Sequence, residues 1–271
     1  MFRFRKGSSR LRRIAAAGVI GLVGAGISIV TVPASSGAQP SGLDHFLCYK
    51  VASATGFQPP TGITLINQFA PNGFQPIVGS LAKHCNPVAK TVPTGTFRIT
   101  NPAAHLACFK ITAPTQPTHV VSVANQFGKA RLTTAQPNLL CLPSWKNLTG
   151  PPGQPAPQPP GLDHFTCYPV ALVPGTPPFT PPSSVTLLDQ FAQTPVPVTV
   201  LAPKLLCVPT EKIVNGVTTP ITNPTAHLLC FKVTQTRFPP MVFDQNQFGT
   251  GQVDLLKTNL LCLPSSKRVI S

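Results

Sequence analysis

The sequence predicts an all-β protein made of two tandem disulfide-stapled antiparallel domains. Each is expected to be a β-sandwich or small barrel with a pseudo-twofold internal duplication. Three observations carry this expectation. Proline occurs 34 times in 271 residues, too densely for long helices, because an interior proline removes a backbone donor and clashes with the preceding turn. Between the prolines, valine, isoleucine, leucine and phenylalanine remain plentiful in short alternating runs bounded by turn residues. That is the pattern of strands and not of a disordered chain. Finally, the 8 cysteines return at matching places in a repeated motif order.

The first segment reads as an export signal over residues 1–38. Arg3, Arg5, Lys6, Arg10, Arg12 and Arg13 form a basic start, Ile14 to Val32 is uncharged and apolar, and Ser36 and Ala38 are small residues before a cut. The apolar run is just long enough to span a bilayer as a retained anchor, but its alanine and glycine content favours cleavage. Six of the 21 basic residues lie there and all 6 acidic residues lie beyond it, so the remainder carries a formal charge of +9. Such a charge favours anionic cell-surface polymers or acidic proteins as partners. The lysines and arginines are scattered singly, which speaks against nucleic acid. No other segment approaches the length of a membrane span.

Three landmarks recur at near-constant offsets. Gly42-Leu43-Asp44-His45-Phe46 returns as Gly161-Leu162-Asp163-His164-Phe165, Thr100-Asn101-Pro102 returns as Thr222-Asn223-Pro224, and residues 138–144 return unchanged at 259–265. The expected domains are therefore 42–146 and 161–267. The proline-rich stretch 147–160 joins them as a semi-rigid linker, an arrangement suited to bivalent attachment.

Each half is doubled again. An opening motif, His-x-x-Cys-aromatic, starts at His45, His105, His164 and His227. A middle motif, (Asn/Asp)-Gln-Phe, starts at Asn67, Asn125, Asp189 and Asn246. A closing motif, Cys-x-Pro-x-x-Lys, starts at Cys85, Cys141, Cys207 and Cys262. The chain is thus four quarters of roughly 45 residues. The segments HFLCYKV, NQFG and LLCLPSxK resemble an uncharacterised domain of secreted bacterial proteins that often occurs in tandem. The resemblance spans 43–146 and 162–267 and implies no particular activity. The first quarter departs from it with Lys83-His84-Cys85, and the third with Pro169.

Strand alternation sends Leu47, Tyr49 and Val51 to one face and Phe46, Cys48 and Lys50 to the other. Ile63, Leu65, Asn67 and Phe69 likewise share a face. The four middle-motif polar residues are expected to bond turn backbones, and the four repeated histidines to bond backbone at strand starts. The His-Cys spacing does not make a zinc site, because on a strand the two residues face opposite ways, and an exported chain keeps its thiols oxidised. All eight cysteines (Cys48, Cys85, Cys108, Cys141, Cys167, Cys207, Cys230 and Cys262) are expected in disulfides. The simplest pairing closes each quarter as Cys48–Cys85, Cys108–Cys141, Cys167–Cys207 and Cys230–Cys262, each stabilising by roughly 2–4 kcal/mol. A cross-quarter pairing such as Cys48–Cys141 with Cys85–Cys108 has the same symmetry and stays open.

No catalytic, cofactor or metal constellation is expected. Asp44 and Asp163 occupy equivalent places, Glu211 is the only glutamate, and no Gly-x-Ser-x-Gly elbow occurs. Trp145 is the one aromatic that could serve as a sugar platform, and His84 and His119 have no assigned role. The functional expectation is a secreted, non-catalytic binding or structural protein of the cell envelope or extracellular space that contacts anionic polymers. The alternative is an extracellular hydrolase using His45 or His105.

Overall fold

The computed structural model describes residues 42–153, 159, 161–177, 179–234 and 239–271. The expected signal segment 1–38 lies outside the described residues, as do 154–158 and 160 of the expected linker. The described residues form strands and turns, without a helix. The first quarter contributes β1 (His45–Ala54), β2 (Thr64–Asn67), β3 (Ala70–Phe74), β4 (Ile77–Val92) and β5 (Gly95–Phe97). The second contributes β6 (His105–Thr112), β7 (Val120–Asn125), β8 (Gly128–Thr134) and β9 (Leu139–Asn147). The third contributes β10 (His164–Leu172), β11 (Thr186–Leu188), β12 (Val196–Pro197), β13 (Thr199–Val214) and β14 (Val217–Thr219). The fourth contributes β15 (His227–Thr234), β16 (Val242–Asn246) and β17 (Gly249–Val269).

The opening and closing strand of every quarter together form one ring. β1 pairs with β4, β4 with β6, β6 with β9, β9 with β10, β10 with β13, β13 with β15, β15 with β17, and β17 with β1. Every pairing is antiparallel, so the ring is a closed eight-stranded barrel without a free edge. A barrel of this strand number leaves an interior just wide enough for side chains. Here the interior is filled by the cysteines. Cys48 stands opposite Cys85, Cys108 opposite Cys141, Cys167 opposite Cys207 and Cys230 opposite Cys262, and each of these pairs is a disulfide. Neighbouring disulfides approach to 3.8 Å between Cys48 and Cys262 and 3.7 Å between Cys141 and Cys167. The void lined by all eight cysteines holds only about 10 Å³.

An outer layer wraps this barrel, and it crosses between the halves. β2, paired with β3, adds to residues 211–213 of β13, while β7, paired with β8, adds to residues 266–269 of β17. β11, paired with β12, adds to residues 89–91 of β4, and β16 adds to residues 145–147 of β9. Each quarter's middle strands therefore extend the closing strand of the quarter two places on. The expected division into separate domains at 42–146 and 161–267 is corrected on this point. Those limits mark sequence repeats, but strands of both halves share one barrel, and the described residues form one compact unit. The linker also begins later than expected, since β9 runs through Asn147.

Two buried clusters follow from strand alternation. The inner one holds the cysteines with Phe46, Leu106, Phe165 and Leu228. The larger one lies between barrel and outer layer and includes Leu47, Tyr49, Leu65, Phe69, Phe109 and Phe231. Proline has a defined place in this scheme. Pro87, Pro143, Pro209 and Pro264 each pair with the opening strand of their own quarter but lie beyond the last residue paired with the neighbouring quarter. A missing N–H removes no ladder bond there, and the strand is free to leave the barrel and receive its outer partner.

Because the paired cysteines are directly opposed across adjacent strands, an unreduced peptide map is expected to contain only Cys48–Cys85, Cys108–Cys141, Cys167–Cys207 and Cys230–Cys262 fragments. A Cys48–Cys141 fragment contradicts the register.

Candidate functional site

The repeated residues are used to hold the layers together. In the middle motif, Asn67, Asn125, Asp189 and Asn246 each accept a hydrogen bond through Oδ1 from the backbone N–H two residues on, at 2.9, 2.8, 3.1 and 2.8 Å. The phenylalanine that follows packs edge-on against the opening aromatic of the quarter two places away. Ring centroids are 5.1 Å apart for Tyr49–Phe191, 5.0 Å for Tyr168–Phe69, 5.0 Å for Phe109–Phe248 and 5.3 Å for Phe231–Phe127. The closing lysine of the preceding quarter covers the same phenylalanine. Lys267 lies 4.4 Å from the Phe69 ring centre, Lys90 4.5 Å from Phe127, Lys146 4.4 Å from Phe191 and Lys212 5.9 Å from Phe248. Burial lowers these lysines to about 7 for Lys90 and about 8 for the other three.

Two of the repeated histidines bond a glutamine side chain. His45 Nε2 bonds Gln126 at 3.1 Å and His164 Nε2 bonds Gln247 at 3.0 Å, in each case the middle glutamine of the next quarter. The Nδ1 atoms of His105 and His227 are buried and have no hydrogen-bond partner among the described residues. Burial lowers His45, His164 and His227 to about 3, helped by nearby Lys90, Lys212 and Lys267 respectively, and holds His105 well below its ordinary value. A histidine so placed is neutral near pH 7 and a weak base, the opposite of what general-base catalysis needs. Asp44 and Asp163 are occupied too, each accepting from the Thr100–Asn101 or Thr222–Asn223 backbone at 2.8 Å. Trp145 is half-buried with its indole N–H enclosed.

A polar cluster that sequence reasoning passed over lies in the outer core. His84 Nδ1 bonds Asp244 at 2.9 Å, and its Nε2 bonds Asn86 at 3.1 Å. Asn86 and the Tyr49 hydroxyl both donate to Asp189, at 2.9 and 2.8 Å. His84 and Asp244 are fully enclosed. The signal was a coupled departure: His84 stands where the other quarters have Leu140, Leu206 and Leu261, and Asp244 stands where they have Leu65, Val123 and Leu187. The pair sets polar side chains at positions that are apolar in the other quarters. Among the described residues no group of three His, Cys, Asp or Glu side chains gathers as a metal site.

One open feature among the described residues is the mouth of the barrel on the side toward which the opening strands run. Alternation continues from Cys48, Cys108 and Cys230 to Lys50, Lys110 and Lys232, while the third quarter has Pro169. These residues surround a bowl of about 1060 Å³ that is also lined by Lys83, Lys204 and Lys257. Six lysines face it, and no acidic residue lines it among the described residues. Lys83, Leu139, Leu205 and Leu260 line both the bowl and the void at the disulfides, so they make its floor. Lys83 is half-buried, donates to Asn259 Oδ1 at 3.2 Å, and is lowered to about 8, first by burial and then by Lys50. The other five lysines are exposed. The bowl became visible only with barrel closure, although alternation had already set Lys50 on the cysteine face.

A family model described as a repeat of unknown function (DUF7450) matches residues 105–264, more than half of the chain. The match runs from the second opening strand to the fourth closing motif, across the boundary between the halves. No curated protein and no solved structure matches the chain.

Two outcomes follow. Phe69→Ala removes a ring held between Tyr168 and Lys267 and is expected to destabilise by roughly 3–5 kcal/mol in urea unfolding; a loss under about 1 kcal/mol contradicts its place in the core. The histidines give a pH dependence of definite sign. Their folded-state values lie below the ordinary 6.5, so the unfolded chain gains protons first as pH falls. The stability they confer is complete above pH 6.5 and is lost progressively toward pH 3. The urea midpoint should already drop between about pH 7 and 5, above the range in which carboxylates ordinarily titrate; a flat midpoint there contradicts the burial of neutral histidines.

Proposed function

This chain belongs to the DUF7450 family of repeats of unknown function, and we propose that it is an exported, non-catalytic binding protein that takes anionic ligands at the mouth of its barrel. The observation that carries the proposal is the bowl, where six lysines converge on one cavity without a lining carboxylate. Like charges gathered this way repel one another and raise the local potential for anions, more so above a low-dielectric floor. The repeated histidines, asparagines and closing lysines are engaged in packing, whereas five of the six bowl lysines are exposed. That division supports a binding surface carried on a rigid frame over a hydrolase that uses His45 or His105.

Four disulfides accord with an oxidising compartment, and the basic, apolar start of the chain accords with export to the envelope or extracellular space. The partner class is anionic, with surface polymers and acidic proteins its natural members. Both halves contribute to a single mouth, so attachment is through one site, in place of the bivalent attachment expected from two linked domains.

The test uses polyphosphate beads and an anionic cell-wall fraction at low and high salt. Retention is expected at low salt and release at high salt. The triple variant Lys50→Gln, Lys110→Gln, Lys232→Gln should keep its thermal transition and bind about tenfold more weakly. Equal retention of the variant, or retention indifferent to salt, contradicts the proposal.

A further inference from the structure

The mouth has more than charge, and its lining narrows the ligand. The floor is a ring of four equivalent positions, each two residues before a closing cysteine, and three of them are Leu139, Leu205 and Leu260. Ile111, Val233 and Pro169 also line the bowl. A fully hydrated polyanion gains nothing from such surfaces. The fourth floor position is Lys83, a half-buried cation whose hydrogen bond goes to a neutral amide, Asn259. The bowl is closed below by the disulfides, since the void beyond the floor holds about 10 Å³, so a ligand enters by one end and cannot thread through. Its volume of about 1060 Å³ is large enough to receive a small molecule.

Resting on the reading of the mouth as an anion site, we infer that the bowl seats an amphiphilic anion, a carboxylate or phosphate group joined to a short aliphatic chain. The anionic group lies on Lys83, and the aliphatic part lies against Leu139, Leu205 and Leu260. The exposed lysines around the mouth draw the anion in and hold a second charge when the ligand has one. A half-buried cation gains from an anion brought into the same low-dielectric place, and the ligand's aliphatic chain gains by leaving water for the apolar floor and the lysine stems around it.

The test is calorimetric titration of the oxidised protein with decanoate below its micelle-forming concentration, alongside propionate, decanol and decyl phosphate. Decanoate or decyl phosphate is expected to bind saturably at one per chain, with propionate and decanol at least about tenfold weaker; whichever head group binds tighter identifies the anion. Lys83→Leu copies the residue of the other three quarters, so the fold is kept, and it should cost decanoate at least about tenfold while leaving decanol unchanged. Decanol binding as tightly as decanoate, or full affinity in Lys83→Leu, overturns the inference. If neither decyl ligand binds while polyphosphate is still retained, the amphiphile is wrong and the anion site stands. If polyphosphate retention fails as well, both fall.

Discussion

Closure of eight strands around four disulfides is the constraint on which the rest depends. A short barrel of this size has little interior to fill, and here opposed cysteines fill it at one level across the ring. Each disulfide ties the opening strand of a quarter to its closing strand, while the ladders between quarters depend on backbone bonds alone. The covalent links therefore define four units, and closure makes the units interdependent. With the lumen filled, the larger apolar cluster must lie outside the barrel, and an outer layer is needed to cover it.

The outer layer is supplied by exchange. If each quarter covered its own barrel strands, only the barrel ladders would join the halves. Instead Tyr49 meets Phe191 and Tyr168 meets Phe69, a reciprocal contact between the first and third quarters. Phe109 with Phe248 and Phe231 with Phe127 repeat it between the second and fourth. Closing lysines then bind each ring from the adjacent quarter. This accounts for a chain so poor in charge, at 10% charged residues, that still keeps a lysine in every closing motif: Lys90, Lys146, Lys212 and Lys267 serve as packing residues, with cationic heads over aromatic faces.

Much of this was legible in the sequence, and for local reasons. The proline density and alternation gave the all-β class, and the Asn67 and Asp189 turns follow from side chains that bond backbone two residues on. Alternation also placed Phe46, Cys48 and Lys50 on one face correctly. What could not be read was which quarter's middle strand covers which closing strand. The four middle motifs are nearly alike, so the sequence does not say whether β2 adds to β4 or to β13. Two separable domains were the simpler expectation, and the exchange replaced them. The bowl was hidden for the same reason, because Lys50, Lys110 and Lys232 lie in strands far apart in the chain and converge only when the ring closes. His84 and Asp244 carried a usable clue in their joint departure from leucine and valine.

The central claim is that both halves build one barrel with one mouth. Its most direct test is to place a protease site within residues 154–158, cleave the folded, oxidised protein, and follow the two fragments by size-exclusion chromatography without denaturant. No disulfide joins the fragments, so only the interlocked strands can hold them. The expected result is a single peak at the size of the uncleaved protein that unfolds in one transition. Two separately eluting fragments, each still folded, would contradict the account.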